Sequence, residues 1–292
     1  MPIFSILLPT NKSQHFAEDS ILSCLSSSFN DFELLIGVQD WKIWNSISVN
    51  NKSIFDDNRL RVIDTSQTSN LPGNLNCMIR HAASSFIVRH DDDDLMHPLR
   101  LRHLVDNLDV LKQSVVVGQS YKIVDFVRSY CSAVVHPSIS DYDNRVKILT
   151  GPCFAHPAIT INLNKLNSQY DEEFIYAQDY KLYVDNFEAG YFRGIKGMAT
   201  YYTAPQKYSP NFYNKRVRQL QLHDMCMLKL WSSLLSAESI PSNIISMFRR
   251  KYISSEDTEP LGRVSYEVNA CQTELLDYYH RALNSLQKWK QD

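Results

Sequence analysis

Four consecutive aspartates, Asp91 to Asp94, follow directly on the apolar run Phe86-Ile87-Val88. Adjacent carboxylates repel one another, which raises their proton affinity or calls for a cation. Mg²⁺ is often held by one or two protein acids together with substrate phosphates. A short acidic loop at the end of a strand is therefore suited to join Mg²⁺ or Mn²⁺ to a diphosphate. The alternative is a solvated acidic loop, which is what most charge runs are.

Apolar runs before the acids indicate the elements that position them. The run Ile3–Leu8 stops at Pro9, Phe32–Val38 is followed by Asp40, and Leu60–Asp64 reads as a third strand. Helical segments around residues 18–25 and 75–83 separate these runs, which predicts a parallel sheet built from βαβ units. Ligands bind outside the carboxyl ends of such strands. We therefore expect the strand ends and the acids to converge on one crevice.

Bulk composition narrows the class of protein. The chain has 292 residues, 44% of them hydrophobic, and a net charge of -2. The lack of a basic surplus argues against a general nucleic-acid binder. Six scattered cysteines without a CxxC pair indicate reduced thiols rather than a zinc site or a disulfide framework. With neither a secretory signal nor a membrane-span-length apolar run, we expect a cytoplasmic protein.

Further elements follow the acids. Pro98 suits the first turn of a helix that runs to about Lys112. Val115–Val117 and Ile123–Val127 are predicted as separate strands, and residues 179–188 as a helix that Gly190 ends. Phe192–Thr203 is predicted as another strand.

The C-terminal part of the chain has a helical pattern. Apolar residues between 217 and 235 fall largely on one helical face, and residues 244–252 and 268–289 are also predicted helices. We place a boundary near Ser209, which divides the chain into residues 1–208 and a helical region of residues 209–292.

Several sequence blocks carry a family resemblance. The stretch RHDDDDLMHPLRL (residues 89–101) resembles the R-x-D-x-D-D-x-x-x-P-x-R-L pattern of family 2 glycosyltransferases. FSILLPT resembles the first strand of that family, FELLIG its second, and HPAITINLNKLNSQYDEEFIYAQDYKLY a segment of its bacterial polysaccharide members. The matches run from Pro2 to Thr203 in the expected order. The resemblance implies the GT-A fold, an α/β Rossmann-like mixed sheet, here followed by a helical C-terminal region.

The resemblance also implies an activity. It implies inverting transfer of a sugar from a nucleotide-diphosphate donor, with a UDP-sugar as the default, to a glycan hydroxyl in capsule, O-antigen or lipopolysaccharide synthesis. Asp93 is implied as a ligand of Mn²⁺ or Mg²⁺, and Asp91 shares the ion or approaches the ribose. Asp179 matches the catalytic carboxylate, preceded by Gln178 where relatives often have Glu. The alternative role for Asp179 is a helix N-cap.

Other positions are candidates for contact with the donor or acceptor. The candidate nucleotide-binding residues are Pro9, Thr10, Asp40, Asn76, Arg89 and Asp91. Trp41 either stacks on the base or packs in the protein, and Arg89 either neutralises phosphate or pairs with the acids. His156, Gln178 and Asp92 are candidates for the donor or acceptor sugar, although His156 can equally be a core histidine. Asp92 lies at the variable position of the motif, so we expect it to face solvent, and Arg100 and Arg102 are expected on a solvated helix face.

Two alternatives concern the role and the location of the whole protein. The first is a catalytically inactive subunit that binds sugar nucleotides or assists assembly in the same pathway. The second concerns the segment Met247–Tyr252, which mixes aromatic and basic residues. A glycan or lipid-linked acceptor would allow this segment a peripheral contact with the inner face of the membrane. A packing contact or a homodimer contact is the alternative.

Overall fold

The computed structural model describes residues 1–10, 14–42, 44–45, 56–125, 128–203, 212–235 and 277–290. The strands in this part of the chain are β1 (Phe4–Thr10), β2 (Phe32–Val38), β3 (Leu60–Asp64), β4 (Phe86–Arg89), β5 (Leu95–Met96), β6 (Ser114–Asp125), β7 (Tyr130–Cys131), β8 (Ile159–Asn162) and β9 (Tyr191–Thr203). The helices are α1 (Gln14–Leu25), α2 (Leu71–His81), α3 (Arg100–Val105), α4 (Leu108–Gln113), α5 (Asp141–Ile148), α6 (Gln178–Asp185) and α7 (Phe212–Leu234). Residues 277–285 are also helical, and 3₁₀ turns cover His156–Ala158 and Leu286–Trp289.

All the described strands join one mixed sheet in the order β3-β2-β1-β4-β8-β6-β9-β5, and β7 pairs with β6. Strands β1 to β4 are parallel to one another, which confirms the prediction for this half. Leu7 and Leu35 belong to one apolar cluster, while Leu8 and Ile36 belong to the other, on the opposite face of the sheet. This alternation of side chains is what a strand buried on both faces requires.

The first strand continues through Pro9, which corrects the prediction that Pro9 ends it. Pro9 pairs with Gly37 of β2, and the strand extends to Thr10. The carbonyl of Leu7 accepts a bond from the His90 N–H on the β4 side. Pro9, two residues on, faces the same side, beyond the last paired position of β1 with β4. Its missing N–H therefore costs no ladder bond.

Four other predicted boundaries also change. The two apolar runs after residue 114 form one long strand, β6, with register shifts against β9. The predicted helix of residues 98–112 is two short helices, because the side-chain amide of Asn107 donates to the His103 carbonyl at 2.8 Å and competes with helix continuation. Helix α2 begins at Leu71, where Asn70 caps it by accepting from the Gly73 N–H. Helix α6 ends at Asp185 and is capped by Asn186.

The described part of the C-terminal region packs on the sheet rather than standing apart from it. Residues of α7 and of the 277–286 segment lie in the same apolar cluster as Leu7 and Leu35. The Trp231 indole N–H donates to the Leu149 carbonyl at 2.8 Å. The boundary near Ser209 and the segment Met247–Tyr252 lie outside the described residues. The division into two regions therefore stays a prediction.

A buried arginine ties the second half of the sheet to its helices. Arg145 is fully buried and donates to Asp141 at 2.7 Å, to the Gly190 carbonyl at 2.8 Å and to the Phe187 carbonyl. Asp141 in turn accepts from the Phe192 N–H at 2.6 Å. These bonds fix α5 against the turn that leads from α6 into β9. Because both ions are buried and mutually satisfied, removal of one leaves an uncompensated charge.

Replacing Arg145 with methionine should lower the free energy of unfolding by about 3–5 kcal/mol, since Asp141 then stays buried without its partner. Urea denaturation followed by circular dichroism measures this change. The control is Arg218→Met on the exposed face of α7, for which a change within about 0.5 kcal/mol is expected. Equal effects of the two substitutions would contradict the structural role of Arg145.

Candidate active site

Contacts from two other elements fix the acidic loop at the end of β4. On one side α1 supplies Ser20, whose hydroxyl donates to the Asp91 carbonyl at 2.9 Å. On the other side Thr203, the last residue of β9, donates its N–H to Asp94 Oδ1 at 2.7 Å and its hydroxyl to the Asp93 carbonyl. The loop conformation is therefore set by strands and helices rather than by the loop alone.

Buried guanidinium groups balance the charge of the acids. Arg89 is 1% exposed, and it pairs with Asp91 and donates to the His90 carbonyl. Arg89 thus pairs with the acids, as one of the two sequence alternatives predicted. Arg100 is fully buried and donates to the Ile159 carbonyl at 3.2 Å, so its predicted place on a solvated face is wrong. The reason is that α3 packs this face against the sheet behind the acids.

The pKa values of Asp91 and Asp94 shift in opposite directions. Burial raises the pKa of Asp91, but the charge of Arg89 and the bond that Arg89 donates outweigh it, so that the pKa lies below its usual range. Burial, followed by repulsion from Asp91, raises the pKa of Asp94 to about 9. Asp91 is therefore the ionised acid of the pair, and Asp94 is a support on the inner side of the loop.

Asp92 is also buried, with 9% exposure, so the expectation that it faces solvent is wrong. The loop turns back on itself between Asp91 and Asp94, where the Asp94 N–H donates to the Asp91 carbonyl at 3.3 Å. This turn brings the Asp92 side chain inward. Neither Asp92 nor Asp94 caps the following helix, because α3 has Leu99 as its N-cap without a side-chain bond.

Asp179 lies in the first turn of α6, close to the acidic loop. The N-cap position is held by Ala177, without a side-chain bond, so Asp179 is not the cap. Ala177 has a positive φ of 55°, a conformation that is costly for alanine and is often found at functional sites. Burial raises the pKa of Asp179, while the backbone N–H groups of Tyr180 and Asp179 oppose this rise and Asp91 adds to it.

His156 is a satisfied histidine that also faces the site. Its Nε2 is 2.8 Å from the Tyr170 hydroxyl, and burial lowers its pKa to about 3, so it is neutral. Asn76 holds Tyr170 by accepting from the Tyr170 N–H at 3.2 Å and donating to its carbonyl at 2.8 Å. The amide of Asn76 also donates to Glu172 at 3.0 Å. The contact of Asn76 with nucleotide stays a prediction.

A cavity of about 420 Å³ lies between the acidic loop and α6. The predicted site residues that it brings together are Asp91, His156, Gln178 and Asp179. Tyr202 lines it as well, and the pKa of its phenol is raised by burial and then by the charges of Asp91, Asp94, Asp93 and Asp179. Tyr202 therefore lies between the two acidic groups. Tyr202 was not among the candidates from the sequence, because it belongs to none of the motifs described above.

The remaining nucleotide candidates lie at the ends of the parallel strands. Thr10 is 3% exposed and donates to the Gly37 carbonyl at 3.3 Å, whereas Asp40 is exposed. Trp41 is 40% exposed, and its indole N–H donates to Asp64 at 3.2 Å. Asp64 ends β3, much as Asp40 follows β2. An acidic residue at a strand end is used above as a sign of a binding residue after β2 and β4, but not after β3. Contacts of Pro9, Thr10 and Asp40 with nucleotide stay predictions.

The donor set of the loop fits a hard divalent cation. Asp91 and Asp93 are partly exposed carboxylates at the strand end, and Asp94 Oδ2 is buried without a hydrogen-bond partner. Within the described part of the chain, no group of three or more His, Cys, Asp or Glu side chains is placed to hold a metal ion. Such a group is not required, because Mg²⁺ is typically held by one or two carboxylates, waters and substrate phosphates.

Comparisons with known proteins identify the family. The model of glycosyl transferase family 2 matches residues 5–180. An uncharacterized glycosyltransferase of Haemophilus influenzae is 25% identical over 155 residues, which cover 51% of this chain and 61% of that protein. The Bacillus subtilis protein EpsE is 26% identical over 125 residues, covering 42% of this chain and 45% of EpsE. Each match thus spans less than two thirds of the relative.

Solved structures support the fold. S. aureus TarS 1–349 in complex with UDP-GlcNAc has a TM-score of 0.58 at 15% identity, covering 97% of this chain and 82% of that one. A mannosyltransferase from Pyrobaculum calidifontis, PcManGT, in complex with GDP-Man and Mn²⁺ has a TM-score of 0.55 at 12% identity, covering 100% and 88%. Together with the mixed sheet, these structures define the GT-A fold, as expected. The chain belongs to glycosyl transferase family 2.

One further observation concerns the membrane. None of the helices in the described ranges is long and apolar enough to cross a bilayer.

The described cysteines, Cys24, Cys77, Cys131, Cys153 and Cys226, are all free thiols, as the sequence predicted for them.

On the role of metal ligand that the resemblance implies for Asp93, and with UDP as the expected nucleotide, replacing Thr203 with valine should weaken metal-dependent nucleotide binding about tenfold, because the loss of a bond that orients a metal ligand typically costs 10–100-fold in metal affinity. The substitution removes the hydroxyl bond to the Asp93 carbonyl but keeps the backbone bond to Asp94. Calorimetric titration with UDP and Mn²⁺ measures the effect. Thr203→Ser keeps the hydroxyl and should bind nearly as the wild type does. Equal affinities of the valine and serine variants would contradict the role given to this bond.

Proposed function

We propose that the protein is a metal-dependent inverting glycosyltransferase. It moves a sugar from a nucleotide-diphosphate donor, most simply a UDP-sugar, to a hydroxyl of a glycan acceptor. The observation that carries this proposal is that Asp91, in the acidic loop, and Asp179 line the same cavity. An acid beside the leaving group and a second acid across the cavity are what an in-line displacement with inversion needs.

In this mechanism the acceptor hydroxyl attacks the anomeric carbon of the donor while the bond to the diphosphate breaks. Asp179 accepts the proton of the hydroxyl, and burial supports this role by raising the pKa of Asp179 above the usual range of an aspartate. The raised pKa makes the carboxylate a stronger base. The Asp179 carboxylate is positioned at the cavity because Asp179 lies in the first turn of α6, directly after the turn that Ala177 makes with its positive φ.

The donor diphosphate would be held at the acidic loop. Asp93 and Asp91 are the residues that would hold Mn²⁺ or Mg²⁺, and the ion would neutralise charge on the departing diphosphate. The ion pair with Arg89 keeps Asp91 ionised and fixes the orientation of its carboxylate. Tyr202, between the loop and Asp179, closes one wall between the donor and acceptor sides.

The pathway that we propose is synthesis of a bacterial surface polysaccharide, such as capsule, O-antigen or lipopolysaccharide. The segment that ends in AQDYKLY, which resembles bacterial polysaccharide members of the family, supports this assignment, and the two relatives are bacterial glycosyltransferases. The transferred sugar would be a hexose or an N-acetylhexosamine. A cytoplasmic location, a peripheral contact with the inner membrane face, a lipid-linked acceptor and a homodimer are further parts of the proposal.

Purified protein should release UDP from one UDP-sugar of a donor panel in the presence of Mn²⁺ or Mg²⁺. Asp93→Ala should abolish both this turnover and metal-dependent UDP binding. Asp179→Asn should reduce turnover by at least about 100-fold, the lower end of general-base contributions, and leave UDP binding intact because Asp179 is on the acceptor side. Turnover that persists in both variants would contradict the mechanism. Metal-dependent UDP binding without turnover on donor and acceptor panels would instead favour an inactive subunit.

The pH dependence of kcat/KM should report Asp179. Its folded pKa is raised, so the residue holds a proton, and is inactive as a base, at pH values where an ordinary aspartate with a pKa of about 3.9 is already ionised. Activity should therefore fall through one ionisation as the pH drops, with a midpoint above 3.9. UDP binding measured over the same pH range separates this effect from loss of the metal. A midpoint at or below 3.9, or a limb that follows UDP binding, would contradict it.

A further inference from the structure

One part of the cavity wall is not used by the proposed donor chemistry. Beyond Asp91 and Asp179, the cavity is lined by Tyr121 and by the side chains of Gln119, His136, Lys147, Cys153 and Gln219. Among the described residues that line the cavity, Lys147 is the sole lysine or arginine. We propose that Lys147 binds an anionic group on the acceptor, so that the acceptor glycan carries a carboxylate or a phosphate. This inference rests on the proposed function.

Lys147 has no carboxylate partner of its own. It lies in the last turn of α5, and none of the ion pairs within the described residues includes it. The acid four residues earlier, Asp143, accepts a bond from the Ser138 hydroxyl at 3.0 Å instead. By contrast, Lys181 and Lys229 of the neighbouring helices both pair with Asp185. Lys147 is exposed and lines the cavity, so it is available to a ligand.

The lysine is placed at the acceptor side of the cavity. Cys153 lines the cavity and is 9% exposed, and burial raises the pKa of its thiol, while Lys147 lowers it and Asp179 raises it. Cys153 thus lies within electrostatic range of both the lysine and the proposed base. Lys147 and Asp179 also line the same cavity of about 420 Å³, so an acceptor that presents its hydroxyl to Asp179 can present a charged substituent to Lys147.

The neighbouring side chains suit a sugar with one charge. His136 also lines the cavity, and its Nδ1 is 2.8 Å from the Ser120 hydroxyl, which fixes the ring. Tyr121 and Tyr202 pack edge to face with centroids 6.2 Å apart and form an aromatic wall. Amide groups of Gln119, Gln178 and Gln219 complete the polar lining. The volume of about 420 Å³ is in the range of pockets that bind small ligands, roughly 300–1,000 Å³.

A structural role for Lys147 is the competing explanation, because a cation near a helix C-terminus interacts favourably with the helix dipole. That role predicts a small effect on stability and no preference for charged ligands. The two explanations therefore differ in ligand binding and can be separated by matched sugars and matched lysine variants.

The test uses three ligands that differ only at C6: methyl glucoside, methyl glucuronide and methyl glucoside 6-phosphate. Saturation-transfer NMR with the full chain, Mg²⁺ and UDP measures their relative binding. We expect at least about a fivefold stronger signal for one or both anionic sugars than for the neutral sugar. A preference for the glucuronide identifies a carboxylate, and a preference for the 6-phosphate identifies a phosphate. Equal signals for all three, or no signal for any while UDP binds, would overturn the proposal.

Variants assign the effect to Lys147. Lys147→Gln should remove the preference for anionic sugars, while Lys147→Arg, which keeps the charge, should retain it. The control is Lys112→Gln, because Lys112 is exposed, pairs with Asp109 at 3.8 Å and does not line the cavity. The proposal would be overturned if Lys147→Gln kept the preference for anionic sugars, or if Lys112→Gln removed it to the same extent. Either result would mean that the preference comes from the overall charge of the protein and not from Lys147. Absence of Mg²⁺-dependent UDP binding in the wild type is a different result, which contradicts the proposed function itself.

Discussion

The balance of charge at the acidic loop is the constraint on which the rest of the site depends. Four carboxylates at the end of a buried strand repel one another, and Arg89 and Arg100 lie buried behind them. Burying such cations is costly unless they are paired and hydrogen-bonded. The fold meets part of this cost with the carbonyls of β1 and β8, which accept from the two arginines at 3.5 and 3.2 Å, while Nε of both arginines and Nη1 of Arg100 are buried without a hydrogen-bond partner. The acids can therefore stay in one place without a solvated, mobile loop.

The two halves of the sheet contribute different parts of the site. The parallel half, β1 to β4, ends in Thr10, Asp64 and the acidic loop, in agreement with the rule that ligands bind at the carboxyl ends of strands. The other half approaches through β8, antiparallel to β4, and β9 then delivers Thr203 to the loop. Asp179 reaches the same cavity from α6, and Arg145 of α5 binds the turn that follows α6 through the carbonyls of Phe187 and Gly190. The site therefore forms where the two halves of the sheet meet.

The sequence predicted the parallel half well because its signals are local. Apolar runs of four to seven residues mark β1, β2 and β4, and burial on both faces leaves little else for them to form, whereas β3 is a weaker strand with Arg61, Val62 and Asp64 exposed. The interruption at Asn107 and the joining of two runs into β6 depend on side-chain bonds and on pairing partners distant in sequence. The burial of Asp92 and Arg100 follows from the packing of the loop and of α3, which charge alone does not reveal. Tyr202 and Lys147 carry no motif, and only the cavity relates them to Asp179.

The electrostatic design of the cavity also explains how one site can treat two substrates differently. On the donor side Asp91 is already paired with Arg89, so that Asp91 stays ionised and its remaining oxygen lone pairs can bind a cation. On the acceptor side the lining is neutral apart from Asp179 and Lys147, and burial raises the pKa of Asp179. A base needs a raised pKa, whereas a metal ligand needs a lowered one. The fold obtains both from aspartates that share one cavity, because Arg89 lies beside the first and the apolar turn around Ala177 lies beside the second.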